Sequence, residues 1–309
     1  MSGNRSALDL IGNTPLLTLD RLYNGPGKLM AKAEFMQPGG SVKDRAAKKI
    51  LDRAYEIGHI RKGTPVVEMT SGNMGAGLAV VCAVRGNPFI AVMSSGNSPE
   101  RVKMLRGLGA EVVLVPQVSG SPGQVTGEDI AAAAEKAKHI ASELGAYYVD
   151  QFNNLGSILA HEESTGPEIW GDTNGAVSVF VAAVGSGGTF IGTSKYLKSK
   201  NSKVQCFVVE PMGSEILAGK SISKPKHLLQ GMGYGSAPPH WNPKLADGFI
   251  AVSDEEASTY RKLLAEKEGL YVGFSAAANV AASVKLLESN EFGKSATLVT
   301  VLCDTGLKY

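Results

Sequence analysis

The chain has little cysteine, little aromatic character and almost no net charge, and each shortage argues against a class of function. Only three cysteines occur in 309 residues, and Cys82, Cys206 and Cys303 each sit in an apolar run (VVCAV, QCFVV, VLCD) without forming a C-x-x-C. They read as buried core thiols, which points away from a disulfide framework and from thiolate metal sites. Histidine is also scarce. His161-Glu162 lacks the second histidine of a zinc helix, and His59, His139, His227 and His240 have no partner at ligand spacing, so no metal is expected. The 31 Lys and Arg residues nearly cancel 29 Asp and Glu to leave +2, so no bulk field would hold a nucleic-acid backbone or an anionic membrane. No apolar run approaches the ~18 residues of a membrane-spanning helix, and no secretory leader is evident. The expectation is a cytoplasmic protein whose partner is a small molecule.

What the chain has in quantity is glycine, 37 residues, beside a hydrophobic content of 43% that places it among folded proteins. Its length suits two domains better than one. Residues 6–20 read as a short helix, a turn and a strand. Further strands are expected at 28–35, 65–69, 89–93, 111–115, 147–151, 176–184, 204–209 and 296–302. Helices are expected at 42–55, 77–85, 98–108, 128–144, 161–170, 190–199, 254–268 and 276–287. Strand–helix units with short joints require a parallel sheet, because parallel neighbours need a crossover. The expected fold is α/β, with two doubly wound domains and mostly parallel sheets. Residues 116–127, rich in Gly, Ser, Pro and Gln, read as an exposed excursion.

The most distinctive stretch is Gln37-Pro38-Gly39-Gly40-Ser41-Val42-Lys43-Asp44-Arg45. Pro38 fixes its own φ and pushes Gln37 out of the α region, and the two glycines open angles closed to other residues. Ser41 reads as the N-cap of the helix 42–55. Lys43 then lies in the first turn, where the positive end of the dipole lowers an ammonium pKa, a placement suited to a reactive amine.

Two loops join strands to helices. In Gly185-Ser186-Gly187-Gly188-Thr189, backbone N–H groups converge at the positive end of a helix, as a phosphate or carboxylate would need. A dinucleotide reading draws on Glu210, which ends the next strand about 20 residues on. The spacing fails, because Phe190 stands where the third glycine of G-x-G-x-x-G belongs. Thr70-Ser71-Gly72-Asn73-Met74-Gly75 offers two hydroxyls and an amide, and suits a carboxylate as readily as a phosphate. Gln151 closes another expected strand at the edge where open α/β sheets bind ligands. An amine able to form an imine, a phosphate cradle and a carboxylate cradle together describe an enzyme that handles an amino acid through pyridoxal phosphate.

The motifs at 38–45, 70–73 and 185–189 resemble, in order, those of the cysteine synthase (O-acetylserine sulfhydrylase) and cystathionine β-synthase family of fold-type II pyridoxal-phosphate enzymes. Glu100-Arg101, Leu108-Gly109-Ala110, Thr165-Gly166-Pro167-Glu168-Ile169-Trp170, Gln230-Gly231-Met232-Gly233 and Gly273-Phe274-Ser275 extend the resemblance over nearly the whole chain. It implies pyridoxal 5′-phosphate as cofactor, with Lys43 as the imine lysine and the base for the α-proton. Asn73 is implied beside the cofactor's 3′-oxygen, Gly185, Ser186, Gly187, Gly188 and Thr189 around its phosphate, and Ser275 facing the pyridine nitrogen. A hydroxyl there does not hold the nitrogen protonated, so the ring is a weaker electron sink, which favours prompt loss of a β-leaving group. Thr70, Ser71, Gly72 and Gln151 are implied as the substrate carboxylate clamp, with Gly231 in the loop near the amine.

The resemblance further implies a homodimer and a tryptophan synthase β-like fold. Its smaller domain, 1–14 with 37–148, would move over substrate, and its larger one, 15–36 with 149–309, would bind the cofactor's phosphate. Three departures stand out: Gln37 for a common asparagine, Met74 for a common threonine, and an end at Tyr309 where relatives run further. Met74, counted among the substrate-binding residues, offers a soft apolar group where threonine offers a hydroxyl. With Ser186 it resembles β-cyanoalanine synthase variants, although Ala182 does not extend the match.

The implied reaction is β-replacement on an O-activated L-serine, foremost O-acetyl-L-serine, which loses its leaving group to an aminoacrylate and takes up sulfide to give L-cysteine. The alternative within the same chemistry is β-cyanoalanine synthesis with cyanide, or another β-replacement or β-elimination of the cysteine lyase or cystathionine type, with a thiol as nucleophile or another leaving group. From other classes, a catalytically silent regulatory homologue conflicts with intact Lys43, Asn73 and Ser275. A nicotinamide oxidoreductase rests only on the 185–189 loop with Glu210.

Overall fold

The computed structural model describes residues 5–119, 121, 125–289 and 291–308. Gly120 and residues 122–124, within the expected 116–127 excursion, lie outside the described residues, as does Tyr309. The chain divides into two compact units: the described parts of Met1–Ile11 with Gln37–Ser157, and Gly12–Met36 with the described parts of Ile158–Tyr309.

In chain order the strands are β1 (Leu16–Thr18), β2 (Lys28–Lys32), β3 (Val66–Met69), β4 (Phe89–Ser94), β5 (Glu111–Val115), β6 (Tyr147–Tyr148), β7 (Val179–Ala183), β8 (Gln205–Pro211), β9 (Gly248–Val252) and β10 (Thr297–Val301). The helices are α1 (Lys43–Glu56), α2 (Asn73–Arg85), α3 (Pro99–Gly107), α4 (Gly127–Leu144), α5 (Gly156–Ala160), α6 (Gly166–Asp172), α7 (Gly188–Lys200), α8 (Asp254–Glu268) and α9 (Phe274–Glu288). As the alternation predicts, the architecture is α/β with mostly parallel sheets.

In the first unit the strand order is β5-β4-β3-β6, all parallel. A parallel sheet is covered on both faces, and β4 is accordingly buried at every residue. Side chains alternate between the two layers: Val66 and Ala91 join Ile50, Leu51 and Leu78 of α1 and α2, while Val67, Ile90 and Val92 meet Ala133, Ala137 and Ile140 of α4.

The second unit carries six strands in the order β1-β2-β10-β7-β8-β9, with only the β1–β2 pair antiparallel. Asn279 fastens the alanine-rich α9 to it: its Nδ2 donates to the Val301 carbonyl and its Oδ1 accepts the Ala183 N–H, both at 2.9 Å. Lys32, 1% exposed, directs its ammonium at the Thr14 carbonyl (2.6 Å), Glu168 (2.8 Å) and Asp172 (2.9 Å), so a buried charge is fully met. Between α5 and α6 the helix widens into a π turn, His161–Thr165. There α7 approaches so closely that a Cβ on Gly192 would lie 2.3 Å from the Ile158 carbonyl oxygen.

Several junctions differ from the sequence reading. Ser41 is not the N-cap: α1 begins at Lys43 with Val42 already helical in the cap position, and Ser41 instead accepts the Lys43 N–H at 3.3 Å. The strand expected through 151 stops at Tyr148. Asn154 takes the Val149 carbonyl at 2.9 Å and Asp150 adopts a left-handed φ of 50°, which puts Gln151 on a turn. Helix α2 opens at Asn73 and α7 at Gly188, so both glycine loops are shorter than expected. Strand β9 is absent from the expected set; Gly248 opens it against the Phe207 ring, where a Cβ would come within 2.6 Å. Among the described residues no helix is long and apolar enough to cross a membrane, and no three His, Cys, Asp or Glu side chains group as a metal site.

Candidate active site

In the first unit, β3 and β6 are parallel neighbours, so the turns that follow them open on one edge of the sheet. The turn after β3 is Thr70-Ser71-Gly72, and it runs directly into α2. Gly72 stands at the cap position with no side chain to satisfy the helix end, while Thr70 Oγ1 accepts the Gly75 N–H at 3.0 Å. The open end of a helix of this length suits a carboxylate. Arg101, from α3, adds a cation: its Nη1 lies 3.1 Å from Ser71 Oγ and 3.4 Å from the Ser71 carbonyl.

Gln151, on the turn after β6, donates its Nε2–H to Glu68 Oε1 at 3.2 Å, and the Asp150 N–H donates to Glu68 Oε2 at 2.9 Å. Burial pushes the Glu68 carboxyl up to about 8, against the lowering effect of these hydrogen bonds, and the Asp150 charge raises it further. Lys43 opens α1, whose first turn is pressed on α2 so tightly that a Cβ on Gly77 would stand 3.1 Å from Asp44 Cα. Asn73 and Met74 are the first two residues of α2, and Met74, 3% exposed, packs in the apolar cluster with Ala46, Ala47 and Ile50.

In the second unit, the chain leaves β7 through Gly185-Ser186-Gly187 and enters α7 at Gly188-Thr189. A Cβ on Gly185 would stand 2.1 Å from the Gly231 carbonyl oxygen, and Gly187 has φ 91°, so glycine is required at both. Gly187 offers no side-chain cap, and the first helical hydrogen bond runs from the Ile191 N–H to the Gly187 carbonyl at 2.9 Å. The N–H groups before it lie in a turn with glycine at 185, 187 and 188, so backbone can approach a ligand closely, which fits a phosphate.

Behind this turn Thr189 Oγ1 lies 3.3 Å from His161 Nε2, and His161 Nδ1 lies 2.8 Å from Thr165 Oγ1. Ser275, the second residue of α9, donates its hydroxyl to the Gln230 carbonyl at 2.7 Å. Gly185, Gly231 and Ser275 thus meet through the single segment 230–231. Glu210 accepts the Leu217 and Ala218 N–H groups at 2.8 and 3.0 Å, so its carboxylate organises its own loop rather than standing ready for a ribose.

The expected residues therefore gather in two groups: Lys43, Thr70, Ser71, Gly72, Asn73, Met74 and Gln151 in one unit, and Gly185, Ser186, Gly187, Gly188, Thr189, Gly231 and Ser275 in the other. The first unit offers a lysine at a helix start, as an imine needs, and the second a glycine turn with the Ser275 hydroxyl near it, as a phosphate-bearing cofactor needs. The family model described as pyridoxal-phosphate dependent enzyme matches residues 7–304. The chain belongs to this family. Its cofactor is pyridoxal phosphate.

Cysteine synthase 1 of Neurospora crassa is 40% identical over 311 residues, covering 97% of this chain and 80% of its own length. Among solved structures, a hydrogen sulfide-producing enzyme of Fusobacterium nucleatum superposes with a TM-score of 0.90 at 35% identity, covering 100% of this chain and 99% of its own. O-ureido-L-serine synthase gives a TM-score of 0.90 at 32% identity, covering 99% and 93%.

Three residues of these groups are absent from the expected site: Glu68, Arg101 and His161. Glu68 carried a signal, since a charge in the otherwise apolar strand Val66-Val67-Glu68-Met69 needs a reason to be buried. Arg101 enters the sequence reading only in the matching pair Glu100-Arg101, and His161 only as half of an incomplete zinc-helix pattern.

Proposed function

We propose that this enzyme catalyses β-replacement on an O-activated L-serine, with O-acetyl-L-serine as amino-acid substrate and sulfide as nucleophile, to give L-cysteine. The observation that carries the reading is the 40% identity, over 97% of this chain, to a protein named cysteine synthase 1. Bound pyridoxal phosphate supplies a carbonyl carbon for amines and an electron sink for charge on the α-carbon. Lys43 would be the residue that holds the cofactor through its amine, and the same amine, when free, would be the base for the α-proton.

Thr70, Ser71, Gly72 and Gln151 hold the substrate carboxylate, and Gly231 lies by the amine. Asn73 would serve the cofactor's 3′-oxygen, and the 185–189 turn would hold its phosphate. Ser275, whose hydroxyl donates to the Gln230 carbonyl, would serve the pyridine nitrogen as a neutral hydrogen-bond donor that does not protonate it. The active form is proposed to be a cytoplasmic homodimer. A second reading, cyanide as nucleophile, rests on Met74, which brings no hydroxyl to the start of α2 beside the 70–72 turn.

An absorption scan and product analysis test the proposal. A near-visible band abolished by borohydride is expected, and among O-acetyl and O-ureido serine paired with sulfide, cyanide or a thiol, O-acetyl-L-serine with sulfide should give the highest kcat/KM. A leading nitrile product would replace the first reading by the second. No band and no turnover would leave neither.

A further inference from the structure

We propose that Arg101 is a positioning residue for the amino-acid carboxylate, acting through Ser71. The inference rests on the reading of the 70–72 turn as a carboxylate clamp. A guanidinium only donates, whereas a serine hydroxyl has one proton to give and lone pairs to receive. Arg101 Nη1 reaches Ser71 Oγ at 3.1 Å and the Ser71 carbonyl at 3.4 Å, so one nitrogen grips both the side chain and the backbone of the same residue. With its oxygen receiving from a cation, the Ser71 hydroxyl keeps its proton for a further acceptor and is polarised toward giving it.

The charge also stands at the positive end of α2, where Gly72 brings no capping side chain. A Cβ at Gly72 would come within 3.8 Å of the same Nη1, so the guanidinium lies along the turn itself. Cation and dipole therefore favour the same occupant, an anion held by Ser71. Arg101 needs no contact with the substrate to do this. It sets where the hydroxyl points and how strongly it donates.

The holoenzymes Arg101→Gln, Arg101→Lys, Ser71→Ala and the double variant Arg101→Gln with Ser71→Ala test the inference. The readouts are kcat and KM for O-acetyl-L-serine, and the affinity of L-serine followed by the cofactor's absorbance. Losing a charge-assisted bond predicts a rise in KM of about tenfold in Arg101→Gln, with kcat within about threefold and partial rescue in Arg101→Lys. In the Ser71→Ala background Arg101→Gln should add less than about twofold, because the residue it acts through is gone.

An equal effect of Arg101→Gln in both backgrounds, or KM within twofold in Arg101→Gln and Arg101→Lys alike, would overturn the inference. Should Arg101→Gln fail to fold with cofactor, Arg101→Lys decides by the same split: a raised KM that Ser71→Ala abolishes supports the inference, and an unchanged KM sinks it. An unchanged KM in Ser71→Ala itself removes the carboxylate clamp and the inference with it. A raised KM there, with none in the Arg101 variants, removes only the role of Arg101.

Discussion

The turns after β3 and β7 share one local design, a strand that ends in a glycine turn and opens a helix with glycine at the cap position. They differ in what surrounds the helix end. After β7 three glycines bring the backbone itself to the surface, and the turn packs so closely on backbone that a Cβ on Gly185 would collide with the Gly231 carbonyl. After β3 they are side chains: Thr70 and Ser71 hydroxyls, the Arg101 guanidinium and, on the next turn, Gln151 held by Glu68. Backbone amides cannot be exchanged by mutation, so they suit a ligand group that never changes, such as a cofactor's phosphate. Side chains can be exchanged one at a time, which suits the part of a site that chooses its substrate.

Variants in each region should separate these two kinds of site, and the largest effect belongs to neither turn. Lys43→Ala should remain folded and lose turnover by about a thousandfold or more, because base and cofactor attachment are both removed. Retained kcat with an unchanged thermal midpoint would end its assignment. In the backbone-lined turn, Gly185→Ala should strip cofactor, read as lost near-visible absorbance, at a cost of about 1–3 kcal/mol in stability. Ser71→Ala, in the other turn, should keep its cofactor in full. If both variants retained cofactor alike, the contrast between the turns would fail.

Glu68 gives the side-chain-lined region a pH dependence. Its carboxyl is raised to about 8 in the folded chain from about 4.5 in the unfolded one. Between those values the unfolded chain has released a proton that the folded chain keeps, so stability falls as pH rises through the window and levels off above about 8. The change should be on the order of a few kcal/mol. Urea midpoints from pH 5 to 8.5 should decline less steeply in Glu68→Gln than in the parent, and parallel curves would remove Glu68 as the cause.

Met74→Thr should have the smallest functional effect. The side chain packs with Ala46 and Ile50, so its loss lowers stability by roughly 2 kcal/mol, while the ratio of cyanide to sulfide efficiency moves less than about threefold. A larger shift in that ratio would make Met74 a determinant of nucleophile choice.

The order of strands and helices was legible because apolar periodicity and glycine stops are local. Gly86 and Gly145 end α2 and α4 in the left-handed form that such stops predict. The start of α1 differs from the reading by one residue: Val42 takes the cap position, and the Ser41 hydroxyl accepts the Lys43 N–H from just outside the helix. Strand β6 was misread because Asn154 ends it from six residues away. Lys43 and the two turns were legible as a combination of residue types in sequence. Glu68, Arg101 and His161 were not, since what they touch is 30 or more residues distant or, for His161, hidden in the widened turn of its own helix.

The π turn at His161–Thr165 makes this stretch of chain count its residues. A wide turn holds one residue more than the α-helical pitch allows, and each residue advances a helix by about 100°. His161 can therefore present its ring to Thr189 while Glu168 and Asp172, on the same continuous helix, still arrive beside the ammonium of Lys32. Removing one residue from the wide turn would restore the ordinary pitch and swing both carboxylates about 100° away, stranding a cation that is 1% exposed. Single substitutions on the outward side of this segment are then tolerable, but a one-residue deletion is not: the length of 161–165 is specified more tightly than its chemistry.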